Sequence, residues 1–124
     1  MTIREEKPVI AALVGLGWWG RKIAALVSAG GAGMHFTHGV DPNPDASAFA
    51  AEMGLQYSQD MADALADPSV EAVVLATPHS LHREQIARVV AAGKHVFCEK
   101  PLDLTKAGAE ASVALCKEAG VVLG

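Results

Sequence analysis

Cysteine is scarce in this sequence, and long apolar runs are missing from it. Its 2 cysteines among 124 residues are too few for a disulfide framework, so we expect Cys98 and Cys116 to be reduced, buried thiols of a cytoplasmic protein. No segment approaches the roughly 18 unbroken apolar residues of a membrane span. The charged residues 1–7 lead into a short apolar run that ends at Gly15, so no signal peptide is expected.

An excess of positive charge is also missing. The sequence has 10 Lys and Arg residues against 14 Asp and Glu, which gives a net charge of −4. We therefore predict no nucleic-acid partner, because a basic surface is needed to neutralise the phosphates of DNA or RNA. A dinucleotide is not excluded, since main-chain N–H groups at the start of a helix can hold two phosphates. No metal site is predicted.

What the sequence does have is a large apolar fraction arranged in short runs. Apolar residues make up 51% of the chain and charged residues 19%, and we expect residues 1–124 to form one folded domain. Short β-rich runs alternate with longer segments of helical period. This alternation predicts an α/β fold, a three-layer, doubly wound parallel sheet of about six strands. The strands are predicted at 9–14, 36–40, 55–57, 70–76, 95–98 and 121–123.

The predicted helices lie between these strands. They span 18–29, a segment from the turn 41–44 to about residue 53, 60–66 with Asp60 as its cap, 81–92, and 105–119 with Thr105 as its cap. The apolar period predicts that Ile23, Leu26 and Val27 face the core from the first helix. For the last helix the predicted core-facing residues are Ala107, Ala111, Ala114 and Leu115.

A glycine motif joins the first predicted strand to the first predicted helix. Its residues are Gly15-Leu16-Gly17-Trp18-Trp19-Gly20. Between a strand and a helix, the first glycine permits a tight turn, the second lets the main chain approach a pyrophosphate, and the third allows close helix packing. The phosphates then face the unpaired N–H groups at the positive end of the helix. We predict that this loop binds the pyrophosphate of a nicotinamide dinucleotide.

An acidic residue, Asp41, ends the second predicted strand, where the ribose hydroxyls of a dinucleotide are bound. A carboxylate accepts a hydrogen bond from a free 2′-hydroxyl and repels a 2′-phosphate, so NAD is predicted, with NADP as the other possible cofactor. Each feature has a simpler interpretation: the glycines as a turn, Asp41 as a helix-entry residue, and Trp18 and Trp19 as packing residues. A methyltransferase using S-adenosylmethionine usually has an acid two places before the first glycine, where this chain has Leu13.

Two further segments follow the fourth and fifth predicted strands. They read Ala76-Thr77-Pro78-His79-Ser80-Leu81-His82 and Cys98-Glu99-Lys100-Pro101-Leu102. Ligands of open parallel sheets bind outside the carboxyl ends of the strands, so both segments are expected at the same crevice as the glycine loop. A lysine there can donate a proton or a hydrogen bond to a substrate oxygen beside the nicotinamide. The alternative is a surface salt bridge between Glu99 and Lys100.

Together, these segments resemble the Gfo/Idh/MocA oxidoreductases, the family of glucose-fructose oxidoreductase and inositol dehydrogenase. The resemblance covers essentially the whole chain, and Glu99-Lys100-Pro101 is its most specific element. It implies that Lys100 is a catalytic residue that orients or polarises the reacting hydroxyl, that Glu99 lies near the nicotinamide, and that Pro101 sets the backbone there.

The resemblance also assigns roles to the segment after the fourth strand. Thr77, Pro78 and His79 would line the region of the nicotinamide ribose, although the family often has Asn where this chain has His79. His82 occupies the family's histidine position in that loop, with packing of the loop as its alternative role. We expect the histidines on or near strands, at positions 35, 38 and 95, to be packing or surface residues.

The implied reaction is a hydride transfer between the nicotinamide and a hydroxyl-bearing carbon of a sugar, polyol or related compound. Full members of the family add a C-terminal α+β domain, absent from these 124 residues, that supplies the substrate pocket and pairs the subunits. Three hypotheses follow: a domain of a longer dehydrogenase, a free-standing cofactor-binding or sensing module, and a subunit completed by a separate substrate-binding chain. The end of the chain just after the sixth predicted strand, and the presence of Lys100, favour the first.

Overall fold

The computed structural model describes residues 8–30, 33–98 and 106–124. Within these ranges five strands alternate with five α-helices. The strands are β1 (Val9–Val14), β2 (Met34–Val40), β3 (Gln56–Ser58), β4 (Ala72–Leu75) and β5 (His95–Cys98). The helices are α1 (Trp18–Ser28), α2 (Ala46–Glu52), α3 (Ala62–Ala66), α4 (His82–Ala91) and α5 (Lys106–Ala119), and a 3₁₀ turn at His79–Leu81 leads into α4.

The strands form one parallel sheet in the order β3-β2-β1-β4-β5. β1 lies at its centre, and the last residue of β1, Val14, pairs with Val40 of β2 and with Leu75 of β4. The strand order reverses at β1, because the chain first adds strands on one side and then on the other. At such a reversal the connections that follow the strands diverge and leave a crevice. The register therefore brings the segments after Val14, Val40 and Leu75 to one place.

Helices cover both faces of the sheet, which confirms the predicted three layers. On one face α1 and α2 pack over a core of Ala11, Leu13, Leu16, Ala24, Phe36, Ala46, Ala50, Leu55, Ala72 and Val74. On the other face α3, α4 and α5 pack over a core of Ala12, Val14, Val40, Met61, Ala64, Val70, Val73, Leu75, Ile86, Val89, Val90, Val96 and Cys116. Successive residues of a strand point to opposite faces, so a strand buried on both sides is apolar without alternation.

About six strands were predicted, and the described residues form five. The segment predicted as the sixth strand makes a single parallel bridge, between Leu123 and Val96 of β5. Three main-chain hydrogen bonds hold it: Val96 N–H to the Val122 carbonyl, Gly124 N–H to the Val96 carbonyl, and Cys98 N–H to the Gly124 carbonyl. The segment thus begins a ladder on β5 that is too short to count as a strand.

The predicted core-facing side was right in part for α1 and wrong for α5. In α1, Ile23 and Val27 are half-buried and pack against the core as predicted, whereas Leu26 is 63% exposed. The fully buried residues of α1 are Gly20 and Ala24. In α5 the buried residues are Gly108, Ser112 and Cys116, and the four predicted ones are exposed. In both helices the buried positions carry small side chains, which let the helix lie close to the elements it packs against. The predicted cap of α5, Thr105, lies outside the described residues.

The two cysteines differ in burial. Cys116 is 2% exposed, as predicted, and burial raises the pKa of its thiol. Cys98 is half-buried, because it ends β5 at the edge of the core rather than inside it. In the part of the chain that the structure describes, no helix is both long and apolar enough to cross a bilayer.

Candidate cofactor-binding site

A cleft of about 500 Å³ opens at the carboxyl ends of β1, β2 and β4. Its lining residues are Val14, Gly15, Gly17, Val40, Asp41, Pro42, Gln59, Asp60, Met61, Ala76, Thr77, Pro78, Leu81, Gln85 and Arg88. Five of the predicted site residues are among them: Gly15, Gly17, Asp41, Thr77 and Pro78. The crevice expected from the strand order is therefore present and contains the centre of the predicted site.

Gly15 and Gly20 make the turn from β1 into α1 possible. Gly15 has φ +101°, a conformation that strains any other residue, and a Cβ there would lie 2.6 Å from the Ala76 carbonyl oxygen. A Cβ at Gly20 would lie 1.8 Å from the Gly15 carbonyl oxygen. These two glycines are required by the fold itself, since larger residues would push α1 away from the sheet.

Gly17, in contrast, is not required by the fold. A Cβ at Gly17 would meet no atom of residues 8–30, 33–98 or 106–124 within 4 Å, and its backbone, at φ −76° and ψ −167°, is open to any residue. Among the described residues, the Gly17 N–H has no acceptor within the protein. The residue sits at the N-cap of α1 and lines the cleft. An open, unpaired N–H at a helix start is suited to an anionic ligand that approaches from outside.

Asp41 holds the glycine loop from the end of β2. Its Oδ2 accepts a hydrogen bond from the Leu16 N–H at 2.8 Å, and its Oδ1 accepts one from the Asn43 N–H at 2.9 Å. The single hydroxyl proton of Tyr57 is shared between two carbonyl oxygens, that of Asp41 at 2.8 Å and that of Asn43 at 3.0 Å. Burial, and then the carboxylates of Asp41 and Asp45, raise the pKa of Tyr57, so the phenol stays a donor. Each Asp41 oxygen keeps a second lone pair that can accept from a ribose hydroxyl.

His82 anchors the loop after β4 from inside the protein. Its side chain is 1% exposed, and its Nε2 lies 2.9 Å from the Thr77 carbonyl oxygen. The Thr77 hydroxyl donates to the Gln85 carboxamide on α4. Thr77 and Pro78 line the cleft, whereas His82 is not among its lining residues. The geometry therefore matches the alternative role of His82, packing of the loop.

Three predicted residues of the glycine loop, Leu16, Trp18 and Trp19, are not among the lining residues of the cleft. The Leu16 side chain is 1% exposed and lies in the core, so only its main chain faces the loop. Trp18 and Trp19 are 73% and 39% exposed, and their rings stack with centroids 5.7 Å apart. Lys22 places its Nζ 4.9 Å from the Trp18 ring. The two tryptophans are thus neither core packing residues nor lining residues of the cleft.

Four of the predicted site residues fall wholly or partly outside the described residues. Glu99, Lys100 and Pro101 lie outside the described residues, and so does the side chain of His79, whose backbone begins the 3₁₀ turn. Their assigned roles stay predictions.

The far end of the cleft contains residues that the sequence reasoning missed. Gln59 and Asp60 follow β3, and the rule that ligands bind at the carboxyl ends of strands, applied to that strand, would have found them. Arg88 lies within α4 and not after a strand, so that rule would not have found it. Its Nη2 is 3.0 Å from Asp60 Oδ1. This hydrogen bond and the Ala62 N–H hold the pKa of Asp60 below its usual value.

The histidines on strands match their predicted packing and surface roles. His38 is 4% exposed, with Nδ1 2.8 Å from the Thr37 hydroxyl and Nε2 3.4 Å from Asp67. His35 is exposed, and His95 accepts the Val122 N–H through Nδ1. None of the three lines the cleft.

The parallel sheet with its strand order reversing at β1, the glycine turn into α1 and the acid after β2 define a dinucleotide-binding Rossmann domain. Residues 9–124 match the family model described as "Oxidoreductase family, NAD-binding Rossmann fold". The chain therefore belongs to the Gfo/Idh/MocA oxidoreductase family, and its cofactor class is the nicotinamide dinucleotides.

Named relatives share this domain but are much longer. The chain is 47% identical over 79 residues to 1,5-anhydro-D-fructose reductase of Ensifer adhaerens, covering 63% of this chain and 24% of that protein. It is 38% identical over 74 residues to scyllo-inositol 2-dehydrogenase (NAD⁺) of Bacillus subtilis, covering 59% of this chain and 22% of that protein.

A solved structure is similar over nearly the entire domain. GenD2 from gentamicin A biosynthesis, in complex with NAD, superimposes with a TM-score of 0.89 at 32% identity, covering 98% of this chain and 35% of that one. The chain thus spans between about a fifth and about a third of the length of these three proteins.

Proposed function

We propose that residues 1–124 act as the dinucleotide-binding domain of an oxidoreductase. The complete enzyme would transfer a hydride between the nicotinamide and a hydroxyl-bearing carbon of a sugar, polyol or related compound. Gly17 carries the proposal: it lines the cleft, and no contact in the described part of the chain requires a glycine there. The names of two relatives, which specify an anhydrofructose and an inositol, support the substrate class.

The residues of the cleft fit a dinucleotide. The pyrophosphate would lie against the unpaired N–H groups at the start of α1, beginning with Gly17. The adenosine ribose would hydrogen-bond the free lone pairs of Asp41. The nicotinamide end would face Thr77 and Pro78, whose loop His82 holds in place. When bound, the nicotinamide supplies the redox chemistry, and the protein supplies orientation and charge.

The catalytic group in this proposal is Lys100, supported by the family resemblance of its sequence context. It would donate a hydrogen bond or a proton to the reacting oxygen of the substrate, with Glu99 and Pro101 beside it. The substrate pocket and the subunit contacts would come from residues beyond these 124. A cytoplasmic location is supported by the reduced state of Cys98 and Cys116.

Cofactor titration of the chain tests the proposal. The only tryptophans, Trp18 and Trp19, flank the loop, so energy transfer from them to bound NADH gives a direct signal. We expect saturable NADH binding, weaker than in a complete enzyme, and no turnover by the chain alone. Absence of saturable binding at millimolar NADH would overturn the proposal. Turnover by the chain would show that its catalytic site is complete without further residues.

The preference for NAD rests on Asp41, and a pair of variants tests it. Asp41→Ala should narrow or reverse the ratio of NADH to NADPH affinity, because it removes the carboxylate that repels a 2′-phosphate. Glu52→Ala, which removes a charge from the exposed surface of α2, is the matched control and should leave the ratio unchanged. An unchanged ratio in Asp41→Ala would show that Asp41 does not contact the ribose.

A further inference from the structure

Leu16 is held from both sides by groups of opposite charge. Its N–H donates to Asp41 Oδ2 at 2.8 Å, and its carbonyl oxygen accepts from Arg21 Nε at 2.9 Å. Asp41 comes from the end of β2 and Arg21 from the first turns of α1. The sequence reasoning gave Arg21 no role, because it follows the glycine motif instead of forming part of it.

These two hydrogen bonds fix two consecutive peptide planes. In a trans peptide the C=O and N–H groups lie in one plane and point in opposite directions. The Leu16 N–H shares its plane with the Gly15 carbonyl, against which Gly20 packs. The Leu16 carbonyl shares its plane with the Gly17 N–H. Arg21 therefore sets the direction of the Gly17 N–H, the open donor on the cleft.

Arg21 is itself held in place by a neighbouring helix. Its guanidinium carbon lies 4.9 Å from the centre of the Phe49 ring on α2. A guanidinium over an aromatic face gains a cation–π attraction and keeps its planar orientation. Arg21 thus joins α1, the glycine loop and α2, and its hydrogen bond to Leu16 is directional.

We infer that Arg21 is a positioning residue of the cofactor site. It holds the Leu16 carbonyl so that the Gly17 N–H faces the pyrophosphate, while Asp41 holds the preceding peptide. This inference rests on the proposed function, since it assigns a task to the same loop. It predicts that losing Arg21 weakens ligands that contain a pyrophosphate and spares adenosine, which has none.

Calorimetric titration of the chain with NADH, NADPH, ADP and adenosine tests this. Arg21→Leu removes the donor and the charge while keeping an aliphatic stem. We expect NADH, NADPH and ADP to bind about tenfold more weakly. This is the effect of losing one hydrogen bond to a charged group, here the bond from the Gly17 N–H to the pyrophosphate. Adenosine affinity should stay near that of the unaltered chain, while the unfolding temperature should fall modestly because the contacts of Arg21 with Leu16 and Phe49 are lost. Arg21→Lys should recover part of the loss, because its ammonium keeps the charge but not the planar fork.

Lys22→Met is the matched control. It removes a positive charge from the next position, where Lys22 contacts Trp18 and not Leu16. A nuclear magnetic resonance spectrum of the unliganded chain gives a second readout: the Gly17 amide signal should move in Arg21→Leu and stay in place in Lys22→Met.

Four other results would each contradict the positioning role of Arg21, and they can be told apart. Unchanged NADH affinity in Arg21→Leu would overturn it while leaving the proposed function intact. If Lys22→Met lost as much affinity for NADH as Arg21→Leu, the cause would be the removal of a positive charge and not the contact with Leu16. If Arg21→Leu lost affinity for NADPH alone, Arg21 would be a direct contact of the 2′-phosphate and not a positioning residue. Failure of the unaltered chain to bind NADH would overturn the proposed function together with this inference.

Discussion

Gly20 lies so close to Gly15 that a Cβ at position 20 would come within 1.8 Å of the Gly15 carbonyl oxygen. The glycines of the loop therefore act in two different ways. Gly15 and Gly20 let α1 pack against the sheet, whereas Gly17 leaves open space beside the cleft. One motif thus contains two glycines needed for folding and a third, Gly17, that no contact among the described residues requires to be glycine.

The contrast between Gly20 and Gly17 gives a first prediction. Gly20→Ala should lower the free energy of unfolding by about 3 kcal/mol, because backbone must move to admit the methyl group. Gly17→Ala should lower it by less than about 1 kcal/mol, the difference between Gly and Ala at an N-cap. The same Gly17→Ala should weaken NADH binding, since its methyl group occupies the approach to the loop. Urea unfolding measures the two changes in stability, and NADH titration measures the change in affinity. Equal destabilisation by Gly20→Ala and Gly17→Ala would refute the distinction between the two glycines.

A second prediction concerns Lys94, which is 6% exposed at the opposite end of the sheet. Its Nζ donates to the carbonyl oxygens of Asp67, at 2.9 Å, and Val70, at 2.6 Å, in the segment that leads into β4. Lys94→Met should destabilise the chain by about 2–4 kcal/mol, because it leaves both carbonyls without this donor. Cofactor affinity should be unaffected, since the cleft lies at the other end of β4. Urea unfolding measures the first effect; a change below about 0.5 kcal/mol, the range of ordinary surface substitutions, would contradict it.

Acid should destabilise the chain through two carboxylates. Hydrogen bonds from the Ser69 hydroxyl and N–H hold the pKa of Asp67 below its usual 3.8, and Arg88 does the same for Asp60. A carboxyl group whose pKa is lower in the folded state stabilises the fold above its unfolded pKa, and this contribution is lost as the pH falls through the folded pKa. The free energy of unfolding should therefore fall below about pH 4.

Variants identify the source of that acid sensitivity. Asp67→Asn and Asp60→Asn should each make the decrease with falling pH shallower, measured as urea midpoints over a pH series. Glu52→Gln on the exposed surface of α2 serves as the control. If both aspartate variants lose stability with acid as steeply as the unaltered chain, other carboxylates are responsible.

Local features of the sequence determined most of the fold and the centre of the site. Short β-rich runs identified the five strands, and the bounds predicted for β1 and β5 agree with the structure. The glycine motif was recognisable because its turn depends on neighbours along the chain, and Asp41 because it follows the second predicted strand. A parallel sheet then brings the ends of β1, β2 and β4 together by topology alone.

The tertiary structure decided what each side chain contacts. In a helix rich in alanine the apolar pattern has no single phase, so the sequence did not show that Gly20 and Ala24 face the sheet while Leu26 faces solvent. Arg88 lines the cleft only because the fold brings α4 to the segment after β3, where Asp60 accepts its hydrogen bond. The hydrogen bonds that Asp41 and Arg21 make with Leu16 depend on how closely α1 approaches β2. That distance is set by packing and not by any local pattern of the sequence.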